Sequence, residues 1–139
     1  MSLPITPTNI ATTETAMGLT FPGVFKARMS RTNGGSVRLN DEAWFLIPFW
    51  DPTDKRTIRR TSQDIKYETT EMLNSNVGFP EDGVAIAKNS AGDWLVLRNR
   101  DGIVGREVWE FTLHGGELHL VLDDVADLWR DTEDPSDDE

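Results

Sequence analysis

The sequence predicts an α+β fold with a central, mostly antiparallel sheet of about six strands. Short apolar runs separated by turn residues fill the middle of the 139-residue chain, and helical patterns lie at both ends and between the strands. The clearest strand pair is Val84–Ala87 and Trp94–Leu97, whose polar link is typical of a β-hairpin. Because the second run has no polar alternation, we expect both of its faces to be covered and place the hairpin at the centre of the sheet.

Two helices are expected before the first strand. Thr6 can cap the first helix, and Gly18 can end it in a left-handed conformation. The second helix begins at Phe21-Pro22 and ends at Asn33-Gly34-Gly35, because those three residues tolerate positive φ.

The other expected elements include one middle helix and one C-terminal helix. The middle helix is capped by Thr61 or Ser62, and the last helix by Asp123 or Asp124. Pro48 lies inside an apolar run, which favours an edge position or a bulge for that strand. The remaining bounds are Ser36–Leu39, Ala43–Trp50, Glu107–Leu113 and Leu118–Leu122 for strands, about 61–74 for the middle helix, and Asp51–Arg60 for a loop.

Charge and composition restrict the kind of protein and of partner. The chain has no cysteine, which excludes disulfides and thiolate metal sites, and it has neither a signal-peptide pattern nor a membrane-length apolar run. We therefore expect a cytoplasmic protein without a membrane partner. The net charge of −10 repels nucleic acid and favours a basic protein partner, and a monomer or weak homodimer is expected.

The last nine residues differ in charge from the rest of the chain. Asp131–Glu139 contains six acids and no base, so residues 1–130 are predicted to form one domain and 131–139 a disordered acidic tail. The rest of the chain then has 18 acidic and 14 basic residues. The cations of the Lys55–Arg60 loop are expected to be solvated and can pair weakly with the tail.

No cofactor, metal site or catalytic set is predicted. His114 and His119 lie five residues apart without a third ligand, so they do not form a zinc site. Asp123, Asp124 and Asp127 lack the spacing of a calcium loop and suit the positive end of the last helix.

Aromatic and acidic residues near strand ends are the candidates for partner binding. Trp50 is expected to be the most exposed of the five tryptophans, and an exposed tryptophan beside acids is typical of a binding hot spot. Packing at a sheet edge is the alternative role for it. The candidates are Trp50, Asp51, Asp54, Glu107 and Glu110.

Four motifs follow one another in the chain: Leu19–Lys26, Asn33-Gly34-Gly35, Val84–Ala87 and Gly92–Leu95. In this order they resemble the SUKH superfamily, whose founding members are the fungal Smi/Knr cell-wall regulators. The resemblance extends from Pro7 to Trp129, although Leu122-Asp123-Asp124 replaces the Ser-Phe that often opens the last helix. The positions that match the pattern are Glu14, Pro22, Asn33, Gly34, Gly35, Pro48, Gly92, Asp93 and Trp109.

Two of these positions are acids with an open role. Asp93 is expected to accept backbone N–H bonds inside the hairpin turn. Glu14 is either half-buried and hydrogen-bonded or part of a binding face, and a structural role is favoured for both.

The resemblance implies a non-enzymatic α+β domain that binds protein. Many bacterial members resemble immunity proteins that neutralise a toxin domain, often a nuclease, and we expect this chain to occlude the basic cleft of such a toxin. The alternative is an adaptor or regulatory scaffold subunit that binds an endogenous protein and neutralises nothing. An enzyme is the third hypothesis, but no nucleophile–base pair or phosphate-binding loop supports it.

Overall fold

A computed structural model describes residues 3–130, and the acidic segment 131–139, predicted to be a disordered tail, lies outside the described residues. The structure is an α+β fold, as predicted. Its elements are helices α1 (Pro7–Met17), α2 (Gly23–Arg31), α3 (Lys55–Arg60) and α4 (Ile65–Leu73), strands β1 (Ser36–Leu39), β2 (Glu42–Leu46), β3 (Gly83–Lys88), β4 (Trp94–Arg100), β5 (Ile103–Val104), β6 (Val108–Thr112) and β7 (Glu117–Leu122), and a 3-10 helix (Val125–Trp129).

The seven strands form one sheet in the order β1-β2-β3-β4-β6-β7, with β5 paired to β4. All of these pairings are antiparallel, which confirms the predicted sheet. No helix among residues 3–130 has the length and apolar character needed to cross a bilayer.

The predicted hairpin lies at the centre of the sheet. β3 pairs with β2 on one side and with β4 on the other, and β4 continues to β6. The apolar residues of both hairpin strands are almost fully buried except Trp94, which is half-buried, in agreement with their lack of polar alternation. β3 carries one extra residue, Ile86, between its pairings with Val96 and Leu95, and such a bulge bends the strand.

An aromatic cluster joins the N-terminal helices to the end of the chain. Phe21 lies 5.4 Å from Phe25 and 5.2 Å from Phe49, and Phe25 lies 6.2 Å from Trp129, measured between ring centroids. The three phenylalanines are almost fully buried. Aromatic pairs at these distances add about 0.5–1.5 kcal/mol each to the free energy gained by burial.

The prediction of a loop over Asp51–Arg60 is wrong, because helix α3 occupies its second half. Asp54 caps this helix through a hydrogen bond from the Thr57 N–H group at 2.9 Å, and the Thr57 hydroxyl accepts from the Asp54 N–H group at 3.0 Å. This reciprocal capping box satisfies two otherwise unpaired donors and compensates for the short length of the helix.

The predicted middle helix is real but begins later. Its cap is Asp64, not Thr61 or Ser62, and it ends at Leu73. Leu73, the last residue of the helix, is 42% exposed, whereas Ile65 and Met72 are buried.

β2 is shorter than predicted and lies inside the sheet. It ends at Leu46, so Pro48 follows the strand and interrupts no strand pairing. The Pro48 carbonyl accepts from the Ile65 N–H group at 2.9 Å and so connects this segment to α4. Pro48 therefore marks neither an edge strand nor a bulge.

The C-terminal helix is a 3-10 helix of five residues. Asp124 caps it, as one of the two predicted caps, through a hydrogen bond from the Ala126 N–H group at 3.0 Å. Val125, Leu128 and Trp129 are buried, so this short helix has an apolar face that packs into the core.

Candidate protein-binding surfaces

The Asn33-Gly34-Gly35 turn fixes the chain between α2 and β1 to the segment after β2. The Asn33 side chain is buried; its amide nitrogen donates to the Phe49 carbonyl and its oxygen accepts from the Phe49 N–H group, both at 2.8 Å. Gly34 and Gly35 have φ values of 117° and 82°, which strain any residue with a Cβ atom. This part of the motif holds the fold together.

Glu14 connects α1 to α2. Its carboxylate accepts from the Phe21 N–H group at 2.8 Å and lies 3.1 Å from the Lys26 ammonium. Pro22 is buried immediately before α2. Both residues have contacts that position the two N-terminal helices.

Asn89, which the sequence interpretation missed, organises the β3–β4 turn. Its side-chain oxygen accepts from the N–H groups of Ala91 and Asp93 at 3.0 and 2.9 Å. The expectation that the Asp93 carboxylate is the acceptor in this turn is therefore wrong. Gly92 has a φ of 90°, which explains the glycine at that position.

Two carboxylates from other elements, Glu42 and Asp93, act electrostatically on Glu110 of β6. We call Glu42, Asp93 and Glu110 the acidic strip. Glu110 lies opposite Leu95 on β4 and His119 on β7, and Glu42 accepts from the Asn89 amide at 2.6 Å. No salt bridge between described residues involves these three carboxylates.

The pKa of Glu110 shows this electrostatic coupling. Partial burial raises the pKa of its carboxyl, and the negative charges of Asp93 and Glu42 raise that pKa further. The nearby His119 lowers it and only partly opposes the shift. Like charges held close together favour the neutral form of one of them, so a cation brought to the strip would relieve the repulsion.

A second feature is a groove between α1, Trp50 and α4. It has a volume of about 450 Å³ and contains the exposed rings of Trp50 and Tyr67 together with Asp64, Lys66 and Glu71. We call it the Trp50 groove. Trp50 is 38% exposed and Tyr67 is 44% exposed.

A protein-family model matches almost all of the described residues. The model of the SMI1 / KNR4 family (SUKH-1) matches residues 4–131. The chain belongs to the SMI1/KNR4 (SUKH-1) family. No curated protein and no solved structure matches it.

The SUKH-1 fold separates the five predicted partner-binding residues. Asp51 is only 5% exposed, and its carboxylate accepts from the Thr53 N–H group at 3.0 Å and the Asn9 amide at 3.3 Å, so its expected surface position is wrong. Asp54 caps α3 and remains exposed. Glu107 lies 3.8 Å from Arg100 in an exposed salt bridge.

Trp50 and Glu110 therefore lie in different features, the Trp50 groove and the acidic strip. The sequence could not show that Glu42 and Asp93 approach Glu110, because the three lie on elements far apart in the chain. Tyr67 was missed because only the tertiary packing of α4 brings it beside Trp50.

Trp109 of this SUKH-1 chain lies half-buried on β6. The Arg98 guanidinium is 5.4 Å from its ring centroid, a cation–π contact, and its indole N–H group is buried without a hydrogen-bond partner among the described residues. His119 lies 3.2 Å from Glu117, and the described residues contain no group of three potential metal ligands.

Proposed function

We propose that this SUKH-1 chain is a protein-binding domain of the immunity type, which occludes the basic cleft of a toxin domain, such as a nuclease, without catalysing a reaction. Membership of the family supports a protein-binding role. The acidic strip is the observation that carries the proposal, because Asp93 and Glu42 act against the charge of Glu110 and a cationic surface would relieve that repulsion.

The physical argument concerns where the free energy of binding comes from. A buried or half-buried carboxylate without a salt bridge raises the free energy of the unbound protein. Lysine or arginine side chains of a partner would offset that cost on binding, and the net charge of −10 would accelerate the encounter. Stoichiometric occlusion needs no catalytic group on this chain.

The experiment begins with capture of the partner on the full chain and an assay of that partner's toxic activity. We expect a basic partner whose activity is inhibited at a 1:1 ratio and whose association rate falls as salt is raised. A partner without toxic activity would contradict the immunity role and favour the adaptor hypothesis.

The acidic strip is tested by neutralising all three carboxylates with Glu42→Gln, Asp93→Asn and Glu110→Gln. We expect the association rate to fall by about tenfold. A control with the same change of net charge uses exposed acids away from the strip: Glu81→Gln, Asp101→Asn and Asp123→Asn. Equal effects of both triple variants would show that net charge matters and the strip does not.

A further inference from the structure

The Trp50 groove has the composition of a site for a cationic side chain. Trp50 is the only tryptophan among the large exposed apolar residues of the described chain, while Trp44 and Trp129 are buried. Tyr67 supplies a second exposed ring in the same groove. The volume of about 450 Å³ lies within the range of about 300–1,000 Å³ that ligand pockets occupy.

The charges of the groove favour a cation. Asp64 and Glu71 contribute two carboxylates against the single ammonium group of Lys66, and no salt bridge between described residues involves either carboxylate. One Asp64 oxygen accepts from the Tyr67 N–H group at 2.8 Å as the cap of α4.

The environment of Asp64 supports this assignment. Burial raises the pKa of its carboxyl most strongly, and Glu68 also raises it, whereas the Tyr67 hydrogen bond and Lys66 lower it. A partly desolvated carboxylate gains more from an arriving cation than a fully hydrated one does.

We propose that the Trp50 groove binds an arginine side chain of the partner protein. A planar guanidinium stacks on aromatic faces and donates two parallel hydrogen bonds to a carboxylate, whereas an ammonium group does only part of this. An apolar side chain would use the rings but leave Asp64 desolvated and without a cation. The inference rests on the proposed function in one respect, that the partner is basic.

The test uses a small probe and no partner. N-acetyl-arginine amide is titrated into the full chain while the indole N–H signal of Trp50, assigned with Trp50→Ala, is followed by NMR. The matched probes are the lysine analogue and the citrulline analogue, which keeps the shape of arginine without its charge. We expect a saturable shift for arginine with a Kd of about 1 mM, a weaker one for lysine and none for citrulline.

Variants separate the groove from the rest of the surface. Asp64→Asn should weaken arginine binding at least threefold, and Glu81→Gln, an exposed loop acid outside the groove, should leave it unchanged. The signals of the buried Trp44 and Trp129 report whether each variant is folded. Absence of a saturable arginine shift, or an equal response to citrulline, would overturn the proposal.

The two proposals fail in different ways. The triple variant of the acidic strip should leave the arginine titration unchanged, because none of its residues lines the groove. A chain that inhibits a toxin but shows no arginine response would contradict only the groove. A chain that binds the arginine probe but captures only a non-toxic protein would contradict only the immunity role.

Discussion

The Asn33 turn and the acidic strip are both made of polar residues, but the two regions differ in how those polar groups are paired within the chain. At the turn, each polar atom of the Asn33 side chain has a backbone partner at 2.8 Å in a buried setting. At the strip, the charges of Asp93 and Glu42 act against that of Glu110, and no salt bridge between described residues involves the three carboxylates.

This difference separates polar residues whose partners lie within the fold from carboxylates whose charge no cation of the described chain neutralises. A paired buried group lowers the free energy of the folded state, whereas crowded carboxylates raise it. The resemblance to the family was carried mostly by residues of the first kind. We infer that the family motifs mark mainly the scaffold, while recognition of a partner depends mainly on residues outside those motifs; Asp93 belongs to both sets.

The largest effect is expected at the Asn33 turn. Asn33→Ala leaves the buried N–H and carbonyl groups of Phe49 without partners, and we expect the free energy of unfolding to fall by about 3 kcal/mol. Urea denaturation measures this change. Gln63→Ala, an exposed residue before α4, is the control and should change the free energy by less than about 0.5 kcal/mol. Equal midpoints for the two variants would show that the turn is not a structural link.

An intermediate effect is expected at Asn89, which belongs to both kinds of region. Asn89→Ala removes the acceptor of two backbone N–H groups and should cost about 1–2 kcal/mol at every pH. Asn89→Asp keeps that acceptor. In the unmodified chain the Asn89 amide donates to Glu42 at 2.6 Å, and the variant puts a second carboxylate in the place of that amide.

The two Asn89 variants should therefore differ in their dependence on pH. Repulsion destabilises the aspartate variant at pH 7 and is relieved as one carboxylate is protonated on acidification. The measurement is the difference from the unmodified chain in urea denaturation at pH 7 and pH 4.5. A pH-independent loss for Asn89→Asp would mean that Glu42 moves away and that the strip is not held in place.

The comparison also explains how far the sequence could be interpreted. The hairpin was predicted because burial of both β3 and β4 leaves a local signal, two short apolar runs around a turn. Helix α3 was missed because its six residues include four cations and its capping box, Asp54 with Thr57, uses threonine in place of the usual glutamate or glutamine.

The acidic strip could be predicted only in part. Glu110 was a candidate for partner binding and Asp93 was assigned to the turn, but Glu42 was given no role. Contacts between residues from β2, the β3–β4 turn and β6 depend on the register of the sheet, which no local pattern encodes. Trp50 and Tyr67 meet through the packing of α4 beside the segment after β2, which no local pattern encodes either.

The smallest change in stability is expected at Glu110. The sign of this change tests whether a carboxylate of the acidic strip destabilises the fold, in contrast to the side chain of Asn33. Burial and two neighbouring carboxylates raise the pKa of Glu110 in the folded chain, so the ionised form is disfavoured there relative to the unfolded chain. This destabilisation is fully present above the pKa of Glu110 in the folded chain. It is absent below about pH 4.3, the ordinary pKa of a glutamate side chain.

Glu110→Gln should therefore stabilise the chain at pH 7, by about 0.5 kcal/mol, and the gain should disappear as the pH falls through that range. Urea denaturation at several pH values measures the gain, with the exposed Glu81→Gln as the control. Loss of stability at pH 7 would mean that Glu110 is paired within the chain. A gain of stability accompanied by slower association with the partner would identify Glu110 as a residue that is unfavourable for the fold and used in binding.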